Sequence, residues 1–252
     1  MHADLELALE LADLADAITL ERFRAADLQV ETKPDLTPVT EADRAVEQAL
    51  RKRIGEERPG DGVVGEEFGA DGGGEVRWIL DPIDGTKNYL RGIPVFATLI
   101  AVERGGKLTV GVASAPALHR RWWAARGQGA FADGRPIRVS RVADLADAVL
   151  AYASFGSWEE HGLGDRFMDL ARRCWRSRGF GDFWCHMLVA EGAADLAAEP
   201  EVALWDLAAV QVIVEEAGGR LTDLGGAARP DGGSVVTTNA LLHDRVLAAL
   251  RP

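Results

Sequence analysis

The run Trp78-Ile-Leu-Asp81-Pro82-Ile83-Asp84-Gly85-Thr86-Lys87-Asn88 governs how the rest of the chain is read. An apolar strand, Trp78 to Leu80, delivers two carboxylates, Asp81 and Asp84, into a turn that Pro82 stiffens and Gly85 closes. Thr86 opens a helix, so backbone N–H groups without helical partners stand beside the two acids. Carboxylates gather hard divalent cations such as Mg2+, and N–H groups at a helix start receive phosphate. Together they point to phosphoryl chemistry. A bare Asp-x-x-Asp-Gly-Thr also describes an Asx-rich turn with solvated acids, so other segments must discriminate.

Upstream lie Asp35-Leu-Thr-Pro-Val-Thr40-Glu-Ala-Asp43 and Gly65-Glu66-Glu67-Phe68-Gly69; downstream lie Leu204-Trp205-Asp206-Leu207-Ala208-Ala209 and Glu215-Glu216-Ala217-Gly218-Gly219. In this order and at these separations, the blocks resemble the inositol monophosphatase superfamily, over nearly the whole chain. Thr86 to Ile100, Gly181-Asp182-Phe183-Trp184, and Val189-Ala-Glu-Gly-Ala-Ala-Asp195 running into Glu199-Pro-Glu-Val are most similar to the branch that includes bacterial histidinol-phosphatases. Inositol monophosphatases proper more often carry a second Thr where Lys87 stands and a small residue where Asp182 stands.

Bulk properties agree with a globular enzyme. The chain has 252 residues, 47% hydrophobic and 27% charged, enough to bury a substantial core. A formal net charge of −12 argues against nucleic-acid binding, which needs a basic footprint. It also repels anionic substrates at long range, so phosphate binding must rest on local cations. Cys174 and Cys185 lack any Cys-x-x-Cys or Cys/His ligand spacing and read as reduced thiols of a cytoplasmic protein. No segment approaches the ~18–20 apolar residues of a membrane span, and the acidic start Met-His-Ala-Asp-Leu-Glu is unlike a signal peptide. The histidines His2, His119, His161, His186 and His243 show no paired spacing; none is assigned to catalysis, and only His119, in an expected strand, stands out.

Helical spacing of Leu7, Leu11, Leu14 and Ile18 predicts a first helix over 3–25, and a second starts near Thr40 with Ala42, Ala45, Val46, Ala49 and Leu50 inward. A short strand ends at Glu66, and β-like runs at 76–81, 94–103, 107–115 and 119–125 predict an antiparallel meander. Gly127-Gln-Gly129 and Asp133-Gly134 mark turns. From about 144 onward, strands near 148–152, 194–198 and 234–237 alternate with helices near 161–174, 183–191, 205–217 and 240–250, which is α/β wiring. Taken with the resemblance, since periodicity alone does not fix the order of layers, the expectation is a mixed α+β and α/β fold layered α-β-α-β-α. An N-terminal α+β half (1–140) carries most metal ligands, a C-terminal α/β half (141–252) carries Asp206 and substrate recognition, and the ligand cleft lies between them.

The resemblance implies a role for each site residue. Glu66, Asp81 and the carbonyl of Ile83 would hold one Mg2+; Asp81, Asp84 and Asp206 would hold a second; a weak third is possible near Lys33 and the Pro34-Asp35 segment. The implied reaction is direct attack of a metal-activated water on phosphorus, with Thr86 orienting the water, Glu66 accepting its proton and Asp43 fixing Thr86. Gly85 and Thr86 N–H groups would hold phosphate oxygens. Asp43 and Asp206 also suit plain capping acids at helix starts, and Glu67 suits a supporting acid.

Glu199 stands where the family contacts the alcohol part of its substrate. Glu199 and Asp182 make a poor wall for an anion and a good one for a cation, which favours L-histidinol phosphate, with its ammonium and imidazole. The alternatives are an inositol monophosphatase or a broad sugar-phosphate and nucleotide phosphatase, and a non-catalytic scaffold; the last should have lost a ligand, yet all four acids are present. A haloacid-dehalogenase phosphatase does not fit, because its acids are two residues apart. The resemblance also implies a homodimer acting on a small phosphate monoester.

Overall fold

The computed structural model describes residues 3–32 and 38–251. Lys33 and the Pro34-Asp35 segment lie outside the described residues. The first layer is helix α1 (Ala3–Arg22) against α2 (Glu41–Glu57). Leu7 and Leu11 of α1 are buried, with Leu14 and Ile18 partly so; on α2, Ala42, Val46, Leu50 and Ile54 form the inner face while Ala45 is exposed. Thr40 caps α2: its hydroxyl accepts the N–H groups of Ala42 and Asp43, and Asp43 Oδ2 accepts the Thr40 N–H at 2.8 Å. Ahead of it, β1 (Val30–Thr32) pairs antiparallel with β2 (Pro38–Thr40), a pairing that periodicity did not reveal.

Under these helices lies an eight-stranded sheet of β3 (Gly62–Gly65), β4 (Gly69–Asp71), β5 (Val76–Asp84), β6 (Ala97–Arg104), β7 (Lys107–Ala115), β8 (Arg120–Ala125), β9 (Ala130–Ala132) and β10 (Arg135–Ile137), in the order β10-β9-β8-β7-β6-β5-β3-β4. The expected meander holds from β5 to β8 and continues through β9 and β10, which had read only as turns. β3 departs from it. After the β3–β4 hairpin the chain returns through Gly72-Gly73-Gly74 and enters β5 on the other side of β3, parallel to it.

β5 also corrects the reading of the motif. Asp81 and Asp84 lie at the end of one strand rather than in a turn: Asp81 pairs with Leu99 and Asp84 with Ala97, so one extra residue is accommodated on β5. In a regular strand, residues three apart face opposite sides; a one-residue bulge returns both acids to the same side. Pro82, which has no N–H to give a ladder, is tolerated at such an irregularity.

Trp78 and Leu80 pack toward α1 and α2, and Ile79 packs toward the central layer. That layer is α6 (Asp182–Ala190) and α7 (Leu204–Glu216), whose residues Leu207 to Val214 are all buried. α7 crosses β7 so closely that a Cβ on Gly111 would stand 2.4 Å from the Ala209 carbonyl oxygen; only glycine permits this approach.

Beyond α6 and α7 comes a five-stranded sheet, β12 (Arg176–Gly179), β11 (Val149–Tyr152), β13 (Leu196–Glu199), β15 (Val235–Thr238) and β14 (Arg220–Thr222), in that order. Its outer face carries α4 (Phe155–Glu160), α5 (Gly164–Arg173) and α8 (His243–Leu250). The helix expected over 161–174 is α5; α4 precedes it as a short helix that periodicity did not reveal, and Gly162, whose φ of 69° is left-handed, separates the two. The five layers run α-β-α-β-α, a mixed α+β fold. Among the described residues no helix is long and apolar enough to cross a membrane.

Candidate metal and phosphate site

Strand ends and helix starts converge on one cleft of about 460 Å3. Glu66 follows β3, Asp81 and Asp84 end β5, and Glu199 ends β13. Gly85 caps the short helix α3 (Thr86–Leu90), while Asp182 and Asp206 lie in the first turns of α6 and α7. All of these, with Ile83, line the cleft. Asp43 sits behind the wall, with Oδ1 3.3 Å from Thr86 Oγ1. Trp205, Lys87 and Phe183 also line the cleft; Glu67 is not part of its lining, and Trp184 packs against Phe180 instead.

A five-residue helix does not hold itself. α3 is fixed by Tyr89, which stands edge-on to Phe96 at 4.8 Å, contacts Phe23 and donates its hydroxyl to the Thr19 carbonyl at 2.8 Å. Thr86 is thereby held so that its hydroxyl can donate to the Ile83 carbonyl (3.0 Å) or to Asp43. Gly85 has φ 83°, and a Cβ there would stand 2.9 Å from the Val95 carbonyl oxygen; the turn therefore requires glycine.

The acids are crowded and dry. One carboxylate oxygen from each of Asp81, Asp84 and Asp206 lies within 4.8 Å of the others. Burial, reinforced by Glu66, Asp84 and Asp206, pushes Asp81 well above the usual carboxylate range. Burial, followed by Asp182 and Asp206, does the same to Asp84. Asp206 is raised to about 7, chiefly by burial, although its Oδ2 accepts the Ala203 N–H at 2.7 Å. Asp206 thus reaches back from inside the first turn and is not itself the residue that precedes the helix. Asp81 is 1% exposed, and its Oδ1 has no hydrogen-bond partner among the described residues. A buried, unpartnered carboxylate oxygen facing further acids is a costly arrangement for protein alone. The donor set, all hard oxygen, fits a divalent cation such as Mg2+. The trio equals the set expected around the second ion, and Glu66 lines the same cleft, where its charge acts on Asp81.

A second pair of acids lies on the α6 and β13 side. Asp182 Oδ2 accepts Asn88 Nδ2 at 2.8 Å, and burial followed by the Glu199 charge raises Asp182 to about 6. Glu199 Oε1 meets His186 Nε2 at 3.0 Å.

Sequence reasoning missed two residues. His186 lines the cleft, although no histidine had been given a role. Its signal was its place one helical turn after Asp182. Glu47 is fully buried and accepts the N–H groups of Glu67 (2.7 Å) and Phe68 (3.2 Å), bracing the turn that carries Glu66. It lies one turn beyond Asp43 on α2, and a Cβ on Gly65 would collide with its carboxylate at 2.0 Å. His119 is in a left-handed residue before β8, not in a strand, and lies in a shallow depression beside Asp16 rather than in the cleft.

The profile of the inositol monophosphatase family matches residues 2–252. The chain is 60% identical over 255 residues to a histidinol-phosphatase of Mycobacterium tuberculosis, covering 99% of this chain and 98% of that protein. It is 54% identical over 256 residues to a histidinol-phosphatase of Streptomyces coelicolor, covering 98% and 96%. Among solved structures, extragenic suppressor protein suhB from Bartonella henselae matches with a TM-score of 0.91 at 30% identity, covering 98% of both chains.

Proposed function

The chain belongs to the inositol monophosphatase family and is a phosphoric monoester hydrolase, and on that premise we propose that it is Mg2+-dependent and hydrolyses L-histidinol phosphate to L-histidinol and phosphate. The observation that carries the substrate is the second acid pair, Asp182 and Glu199, lining the same cleft as the Asp81, Asp84 and Asp206 trio. Carboxylates can accept from the hydroxyls of a neutral polyol, but a pair of them gains more from an ammonium and an imidazolium, whose charge-assisted hydrogen bonds are about twice as strong. Relatives named for that activity support the same reading.

In this reading Glu66, Asp81, the Ile83 carbonyl, Asp84 and Asp206 hold two to three Mg2+ ions. When bound, Mg2+ supplies Lewis acidity toward phosphoryl oxygens and lowers the pKa of water. The chain's own groups do the rest. Thr86, donating its hydrogen to Ile83 or Asp43, keeps lone pairs to accept from the attacking water and so aims it. Glu66 receives the proton. The N–H groups of Gly85 and Thr86 hold phosphate oxygens at the start of α3, and Asp43, locked by Thr40, keeps Thr86 in its rotamer.

The test is the ratio of kcat/KM for L-histidinol phosphate to that for inositol 1-phosphate, both with Mg2+. A preference of at least about tenfold for the cationic ester is expected, the value of one charge-assisted hydrogen bond. A preference for inositol phosphate would sink the assignment.

Metal removal gives a second, activity-free expectation. Asp206 and Asp182 rise from 3.8 in the unfolded chain to about 7 and about 6 in the folded one. An acid raised on folding favours the folded state while protonated, and that contribution fades as pH climbs through the folded value. The chelator-treated protein should therefore lose Tm between about pH 5 and about pH 7.5, and Mg2+ should restore more at the higher pH, by about 5 °C or more. An equal Mg2+ effect at both pH values would contradict the cluster as a cation site.

A further inference from the structure

Asp182 and Glu199 set two like charges in one wall of the cleft, and such a pair needs groups that hold and aim it. We propose that His186 is the positioning residue that presets Glu199 for a cationic substrate group. The inference rests on the substrate reading above.

His186 is 2% exposed and fixed at both ring nitrogens. Nδ1 lies 2.9 Å from Thr237 Oγ1, itself fully buried on β15, and Nε2 lies 3.0 Å from Glu199 Oε1. A carboxylate only accepts, so Nε2 carries the hydrogen and donates it. The Thr237 hydroxyl can rotate to donate to Nδ1 or accept from it, and in either case holds the ring plane. Glu199 is thus tied through one oxygen, and Oε2 remains to meet a ligand.

Asp182 is arranged alike. Asn88 Nδ2 donates to its Oδ2 and also lies 3.0 Å from the Val95 carbonyl, which fixes the amide. Each carboxylate of the wall therefore has one oxygen held by a donor on the protein and one left over. Without the imidazole donor, Glu199 would be free to turn away from the charge of Asp182, and a substrate would have to order it on binding. Preset acceptors spare that ordering, so the benefit falls on substrate affinity more than on the chemical step.

The side-chain geometry supplies a discriminating set of variants. A Gln at this position carries its amide nitrogen near where Nε2 lies; an Asn reaches only the Nδ1 position. His186→Asn should raise KM for L-histidinol phosphate about tenfold with kcat within about twofold, and should change KM for inositol 1-phosphate far less. His186→Gln should recover most of the loss. Thr237→Val, close in shape and lacking only the hydroxyl, should fall between them and serves if His186→Asn does not fold. Equal losses on both esters, or no rescue by His186→Gln, would reduce His186 to a packing residue. A wild-type enzyme that prefers L-histidinol phosphate while His186→Asn keeps the same preference would overturn this inference alone. A wild-type enzyme without that preference would overturn the substrate reading and this inference with it.

Discussion

Asp84→Asn should lower kcat about 10^3-fold or more at saturating Mg2+, the scale on which lost metal or electrostatic catalysis is felt. The substitution keeps the shape of the side chain and an oxygen able to accept the Phe183 N–H, which Asp84 Oδ2 now accepts at 2.8 Å. The junction between β5 and α6 should therefore stay intact. Removing one charge from a cluster that already repels itself should leave the chelated protein as stable as wild type or more so, because burial and the neighbouring Asp182 and Asp206 disfavour the Asp84 charge. The expected signature is a fold that survives, a rate that does not, and a Tm that no longer responds to Mg2+. A merely structural acid would show the opposite pattern, a lowered Tm with residual turnover. Activity within about tenfold of wild type would end the reading of Asp84 as a metal ligand.

Most elements and the acids at their junctions were legible in the sequence for a physical reason, whereas the layer order and the grouping of the acids came with the family resemblance. The chemistry is carried by short segments where strands end and helices begin, and such junctions are marked locally by Gly, Pro, Asp and Thr. Asp-Pro-Ile-Asp-Gly-Thr and Trp-Asp are compact blocks, and the family resemblance that they carry is what assigned Asp81, Asp84 and Asp206 to one pocket. What escaped depends on partners distant in the chain. The bulge that turns Asp81 and Asp84 to the same side exists only against β6, through Leu99 and Ala97. The parallel pairing of β3 with β5 follows from where β4 folds back, which no periodicity reports. β12, Arg-Ser-Arg-Gly, is an edge strand with little apolar patterning, and it forms because β11 lies beside it. His186 looks like one more scattered histidine until Thr237, fifty-one residues on, and Glu199, thirteen on, are brought to its two nitrogens. Glu47 likewise reads as one polar residue on an amphipathic helix until the Glu67 and Phe68 amides close on it.

The double variant Asp182→Asn with Glu199→Gln should abolish the preference for L-histidinol phosphate over inositol 1-phosphate, each single change lowering the ratio of kcat/KM about ten- to a hundredfold. The choice of amides matters. Asp182 has φ 43°, in the left-handed region that Asn tolerates and most residues do not, so Ala there would add backbone strain to the loss of charge. An amide at 182 also keeps an oxygen to accept Asn88 Nδ2, and one at 199 keeps an oxygen to accept His186 Nε2, so both neighbours retain their partners. What the amides remove is negative charge facing the cleft. Charge-assisted hydrogen bonds to an ammonium or an imidazolium weaken, while contacts to a neutral hydroxyl persist. Taking charge away from beside Asp84, on which Asp182 acts more strongly than any other charge, also means that an inositol ester should be turned over no worse than before. The loss must therefore be selective. If both esters lost kcat/KM in step, the two acids would be supporting the cleft rather than reading its substrate, and the enzyme would be a general phosphomonoesterase.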